Sequence, residues 1–289
     1  MGTPRLAGLT APTDTTEPLD LESPLPKNYF APAEHLLRLA SDFTRAQDTY
    51  AQQVFLEPDI ASRMVTQADT ASSLAQDTYN VMASLNDQPV LYSPEIEAVY
   101  ARVTQFTQLT ISAASRLNDA AEMMDHAYQK LAPGRGEALT ELEEYHEAVH
   151  NFTVARNLTA FVAPDALETA DLFVRERRRR GIVPEYRPPA LSASQLTTLR
   201  AVAGGEVAMY RDKPRTRRTD VRVGTSTVRA LESRGLVTRE ECPAWAADER
   251  LHLTRSGRRD LAASFGRSRP AATARTAAPA PKPANGHSR

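Results

Sequence analysis

The stretch SPEIEAVYARVTQFTQLTISAASRLNDAAEMMDHAYQKL, Ser93 to Leu131, decides the fold class. Ser93 can accept a hydrogen bond from the first turn of a helix. Pro94 suits the first helical position, and Glu95 and Glu97 complement the positive end of the helix dipole. Apolar residues then recur every three or four positions: Ile96, Val99, Val103, Phe106, Ala113, Leu117, Met124, Tyr128 and Leu131. That spacing keeps one helix face apolar along the whole stretch, a coiled-coil-like seam that must be buried against other helices. Pro133-Gly134 ends it.

The neighbouring stretches have the same character. One helix is expected from Pro32, burying Leu36, Leu39, Phe43, Ala46, Tyr50 and Val54. A second opens at Pro58-Asp59 and buries Ile60, Met64, Ala68, Ala71, Leu74 and Met82. After the long helix, a fourth is expected from Gly136 to Ala163, and a fifth from Pro164-Asp165 to the run Arg177–Arg180. Short connections between long amphipathic helices make antiparallel neighbours, so residues 31–180 are expected to form a helical bundle. The seam could be satisfied within one chain or between chains, so a homo-oligomer or a helical protein partner is expected through the bundle. The pentapeptide Ala-Gln-Asp-Thr-Tyr occurs at 46–50 and again at 75–79, through hairpin duplication or a chance echo.

Charge divides the chain. Up to Val174 there are 10 Lys/Arg against 25 Asp/Glu, and from Arg175 onward 25 against 11. A net charge of −1 thus hides an acidic part and a basic part, and a basic part suggests a polyanionic partner. Gly181 to Pro189, residues 181–189, holds three prolines and reads as a linker just past the charge boundary. Residues 1–30 read as a disordered acidic arm and residues 267–289 as a disordered basic tail. The basic residues are nearly all Arg, which fits a GC-rich bacterial genome and also favours phosphate binding.

Composition excludes several classes. Cys242 is the single cysteine, so neither an internal disulfide nor a cysteine-rich zinc site can form. Glu240 and Glu241 should raise its pKa, which makes it an ordinary thiol. Aromatic residues, 6% of the chain, are too few for a large aromatic cofactor pocket, and no cofactor is expected. No apolar run approaches the roughly 18 residues that span a bilayer, so the expectation is a cytoplasmic protein without membrane association.

Residues 190–266 change register. Ser192 caps a helix to about Ala203, which Gly204-Gly205 stops; Val207–Tyr210 suits a strand. Arg211 to Arg222 reads as a charged loop holding Arg215, Arg217, Arg218 and Arg222. Ser226 to Arg239 reads as a helix with Val228 and Leu231 inward, a glycine stop at Gly235, and a strand. Asp248 to Gly257 reads as a second strand and the cap of a last helix.

This segment, about a quarter of the chain, resembles the winged-helix domains of MarR-type bacterial regulators. The resemblance is carried by Thr-Val-x-x-Leu-Glu-x-x-Gly-Leu-Val (Thr227 to Val237), by Asp-x-Arg (Asp248, Arg250), and by Leu-Thr-x-x-Gly (Leu253 to Gly257). The family places a separate helix before its recognition helix, where this chain has Asp212 to Val223, rich in proline and arginine. Together with the bundle read from the residues, which does not match the family's usual dimerisation helices, this gives an expected fold that is mainly α: an N-terminal antiparallel helical bundle followed by a C-terminal winged helix with a small β-hairpin. The implied function is binding of double-stranded DNA as a transcriptional regulator or a plasmid or phage accessory factor. Ser226, Thr227 and Arg229 would lie near base edges or phosphates, with Arg250 and His252 on the wing. Arg215, Arg217, Arg218 and Arg222 would contact phosphates.

Two other readings compete. The winged helix could bind protein, making the chain an interaction or scaffold protein. The string His146-Glu147-Ala-Val-His150 places two histidines and a carboxylate as zinc hydrolases do, and so offers a metal-binding bundle. The surroundings of that string favour a plain polar helix face: Glu144 precedes it, and downstream Glu168 and Asp171 do not complete a known pattern. No Ser/His/Asp ordering, phosphate-binding glycine loop or dinucleotide fingerprint is present, so an enzyme is not expected.

Overall fold

The computed structural model describes residues 30–89, 92–131, 138–182, 186–217, 219–245 and 247–267. The expected arm and tail therefore lie outside the described residues, apart from Phe30 and Arg267, as does Arg218. The protein is mainly helical with a small C-terminal antiparallel sheet. Its first part comprises α1 (Ala31–Ala51), α2 (Ile60–Asn86), α3 (Pro94–Lys130), a single 3-10 turn (Leu139–Glu141), α4 (Glu143–Thr159) and α5 (Val162–Arg179). The second part comprises α6 (Ala193–Ala203), β1 (Val207–Tyr210), β2 (Lys213–Thr216), α7 (Thr225–Ser233), β3 (Val237–Trp245), β4 (Ala247–Leu253) and α8 (Arg255–Ser264).

The Ser93 signal acts as expected: its side chain accepts from the Ile96 N–H at 3.2 Å, a cap worth about 1 kcal/mol. The seam of α3 is buried inside the chain, between α2 and α4, with α5 also in contact. The fourth helix is shorter than its apolar pattern suggested. Pro164 cannot lie inside a continuous helix, so the chain breaks at Ala160-Phe161 and α5 takes the proline into its first turn. Val54, expected in the core, is 50% exposed beyond the end of α1. The two Ala-Gln-Asp-Thr-Tyr copies are not equivalent, since Tyr50 is buried edge-on against Phe152 whereas Tyr79 is exposed.

Helix α1 is buried on two sides. One stripe, with Leu36, Phe43 and Tyr50, joins the bundle core beside α2 and α5. A second stripe at helical spacing, Leu37, Ser41, Thr44 and Asp48, is also buried. It carries Thr44 against Gly205 and Asp48 against Arg250, and α1 packs on α6, α8, β3 and β4. One hydrophobic core therefore continues from the bundle into the sheet and its helices.

The sheet runs β2-β1-β4-β3, all antiparallel. The stretch expected as a loop after β1 contains β2, an edge strand of Lys213, Pro214, Arg215 and Thr216. Proline and basic side chains are tolerated there because an edge strand leaves backbone groups unpaired. Cross-strand partners share a face. Val237, Leu251, Leu253 and Met209 turn toward α6 and α7, while Ala208, Glu240, Arg250 and His252 turn toward α1. The Leu-Thr-x-x-Gly element closes the structure: Thr254 accepts from the Gly257 N–H at 3.0 Å, and a Cβ on Gly257 would meet the Leu236 carbonyl oxygen at 1.9 Å.

Candidate nucleic-acid interface

Helix α7 is held from beneath. Val228 and Leu231 are fully buried, and Gly235, at φ 66°, reverses the chain into β3. Arg239 then fastens the helix. Its guanidinium donates to Glu232 of α7 at 2.5 Å, to Asp212 at the β1–β2 turn at 2.7 Å, and to Glu249 of β4 at 3.1 Å. These carboxylates raise the Arg239 pKa still further, while the Asp212 carboxyl is held below its ordinary range by Arg239 and then by the nearby charge of Arg229. Sequence reasoning missed Arg239. Its signal was parity: it lies two residues after Val237 on the same strand, so it shares the face under α7.

The outward side of α7 presents Ser226, Arg229 and Ser233 to solvent, with Thr227 partly covered and Arg222 exposed just before the helix. Beside it, the β1–β2 turn holds Arg211 and Asp212 at φ 47° and 59°. Positive φ at both positions is the geometry of a type I′ hairpin turn, unusual without glycine or asparagine, and the Asp212–Arg239 ion pair anchors it. The guanidiniums of Arg211 and Arg215 each lie 5.2 Å from the centre of the Tyr210 ring. Arg222, Ser226, Thr227 and Arg229 thus lie on or beside this end of the C-terminal part, while Arg215 pairs with Ala208 on the sheet face opposite α7.

Two further expected contacts are placed elsewhere. Arg250 and His252 are not on an exposed wing, since they are 1% and 3% exposed and buried beneath α1. The reason is the alternation of β4. Leu251 and Leu253 face α6 and α7, so the residues between and before them face the opposite side, which the bundle covers. Arg250 donates to Asp48 with two nitrogens at 2.5 Å and to the Gly205 carbonyl. Arg217, just after β2, stays exposed; partial desolvation and the charge of Arg250 lower its pKa.

Comparison with known proteins finds no match: no family model fits the chain, and neither a curated protein nor a solved structure is similar to it.

The other candidate chemistries have a plain geometry. His146, Glu147 and His150 lie on the exposed side of α4, and among the described residues no group of three His, Cys, Asp or Glu is placed to hold a metal ion. Cys242 is buried, and burial is the main cause of its raised pKa, followed by Asp48. Glu240, expected to act on the thiol, instead takes a two-pronged ion pair with Arg45 of α1 at 2.7 and 2.6 Å. No described helix is long and apolar enough to cross a membrane.

Proposed function

We propose that the chain binds double-stranded DNA through the outward side of α7, as a regulator or accessory factor, with the bundle as the rigid body that carries it. The observation that supports this most is the division of the sheet into two faces. The bundle covers the face carrying Arg250 and His252, while α7 packs on the other face and keeps Ser226 and Arg229 in solvent. The order α6, β1, β2, α7, β3, β4, with β4 between β1 and β3, supports this reading, since a winged helix arranges its elements in a similar order. In this reading the β1–β2 hairpin stands in place of the helix that such domains put before the recognition helix. Arg222 and Arg229 supply charge for phosphates, and Ser226 and Thr227 stand at the helix end nearest the bases.

The test is fluorescence anisotropy of the full chain on a random duplex across a salt series. Phosphate-dominated binding gives log K falling linearly with log salt concentration. No binding at about 50 mM salt, a concentration at which multi-phosphate contacts remain strong, overturns the reading.

A further inference from the structure

A cleft of about 700 Å³ opens where the end of α5, the segment before α6, α6 itself and the end of α8 meet. One wall is apolar: Pro188, Pro189, Leu191 and Leu196. The other carries Arg175, Arg200 and Arg267. This is the size and lining of a small-molecule site, an apolar body with a few convergent polar groups.

The charge at the cleft is unbalanced. Arg175 and Arg200 share one carboxylate, Asp171, which accepts from Arg175 at 3.0 and 2.5 Å and from Arg200 at 3.0 Å twice. Arg267 is brought close by a reversal at Gly266, φ 65°, where a Cβ would lie 2.9 Å from Arg178 Cδ and 3.2 Å from Arg175 Cα. Its charge adds to the burial that lowers the Arg178 pKa, and Arg178 Nε is buried without a hydrogen-bond partner among the described residues. Arg175 and Arg200 thus share one aspartate, and Arg267 lines the cleft beside them, with an apolar wall facing them.

We infer that this cleft binds a small amphipathic oxyanion, with its carboxylate, sulfonate or phosphate head against Arg267, Arg200 and Arg175 and its apolar body along Leu191, Leu196, Pro188 and Pro189. Guanidiniums suit such heads because their planar donors match oxyanion geometry. The site is separate from α7, and the inference stands whether or not the chain binds DNA.

Isothermal titration of the full chain with decanoate, 1-decanol and inorganic phosphate tests it. Decanoate should bind at one site per chain, with phosphate and decanol each at least tenfold weaker, because only decanoate offers both head and body. Arg267→Ala, which leaves the Asp171 pairs in place, should weaken decanoate about tenfold, and Leu196→Asp should abolish binding; both variants are first checked for wild-type unfolding midpoints. Equal binding of decanol and decanoate, unchanged affinity in a folded Arg267→Ala, or no saturable decanoate binding overturns the assignment.

Discussion

Asp48 and Arg250, 202 residues apart, form a two-pronged ion pair at 2.5 Å, the arginine 1% and the aspartate 12% exposed at the side chain. Removing one partner of a buried pair leaves the other charge uncompensated, which typically costs about 3–5 kcal/mol. Asp48→Asn should therefore lower stability by that order in urea unfolding. Replacing both, Asp48→Leu with Arg250→Met, should cost less than Asp48→Asn alone. If Asp48→Asn unfolds within about 1 kcal/mol of the wild type, roughly the worth of an ordinary exposed pair, the junction does not depend on it.

His252 gives the same junction an acid limit. Burial lowers its pKa, as does the charge of Arg45; Glu240, 3.6 Å away, and Asp48 oppose this, while Arg250 adds to it. A histidine held neutral in the folded state binds fewer protons than in the unfolded chain below its ordinary pKa of 6.5. Its contribution is present above that value and lost as pH falls below it. The midpoint of urea unfolding should drop between pH 7 and pH 5, and His252→Gln should flatten the drop. A slope that the variant leaves unchanged assigns acid sensitivity to other groups.

Gly205 sits at φ 71°, and an added Cβ would lie 2.4 Å from Thr44 Oγ1. Gly205→Ala should cost about 2–4 kcal/mol, from the left-handed backbone and from overpacking. Thr44→Ala in the same chain should recover the packing part and not the backbone part. A thermal-melt cycle showing simple additivity would mean that the two residues do not meet.

The arginines of the C-terminal part should separate in a DNA titration. Arg229→Ala, on the outward side of α7, should reduce the salt slope by about one. Arg250→Ala, buried beneath α1, should leave the slope as it is and lower the melting temperature. The reverse result would move the interface from α7 to the junction.

Much of this architecture could be read from residues whose signals are local. Ser93-Pro94, the three-and-four spacing of α3, the Ser192 cap and the Thr254 cap each act within a few residues and are found where expected. β2 escaped notice because Lys-Pro-Arg-Thr has no strand preference; it becomes a strand by pairing with β1. The placement of Arg250 and His252 was half legible. Their alternation with Leu251 and Leu253 assigned them to the far face of the sheet, but nothing local says that a helix from the start of the chain covers that face. A polar residue such as Asp48, in the second buried stripe of α1, gains meaning only from its distant partner.

The junction also bears on how the chain is made. α1 leaves the ribosome well before the sheet, and the arginine that satisfies Asp48 follows 202 residues later. At 5–20 residues per second, roughly 10–40 s pass before Arg250 has been synthesised. During that interval the second stripe of α1 has no sheet to cover, and the nascent bundle must tolerate a face it cannot yet close. A chain terminated before β4 would keep that face permanently open, a mark by which quality-control machinery could distinguish an unfinished product from a finished one.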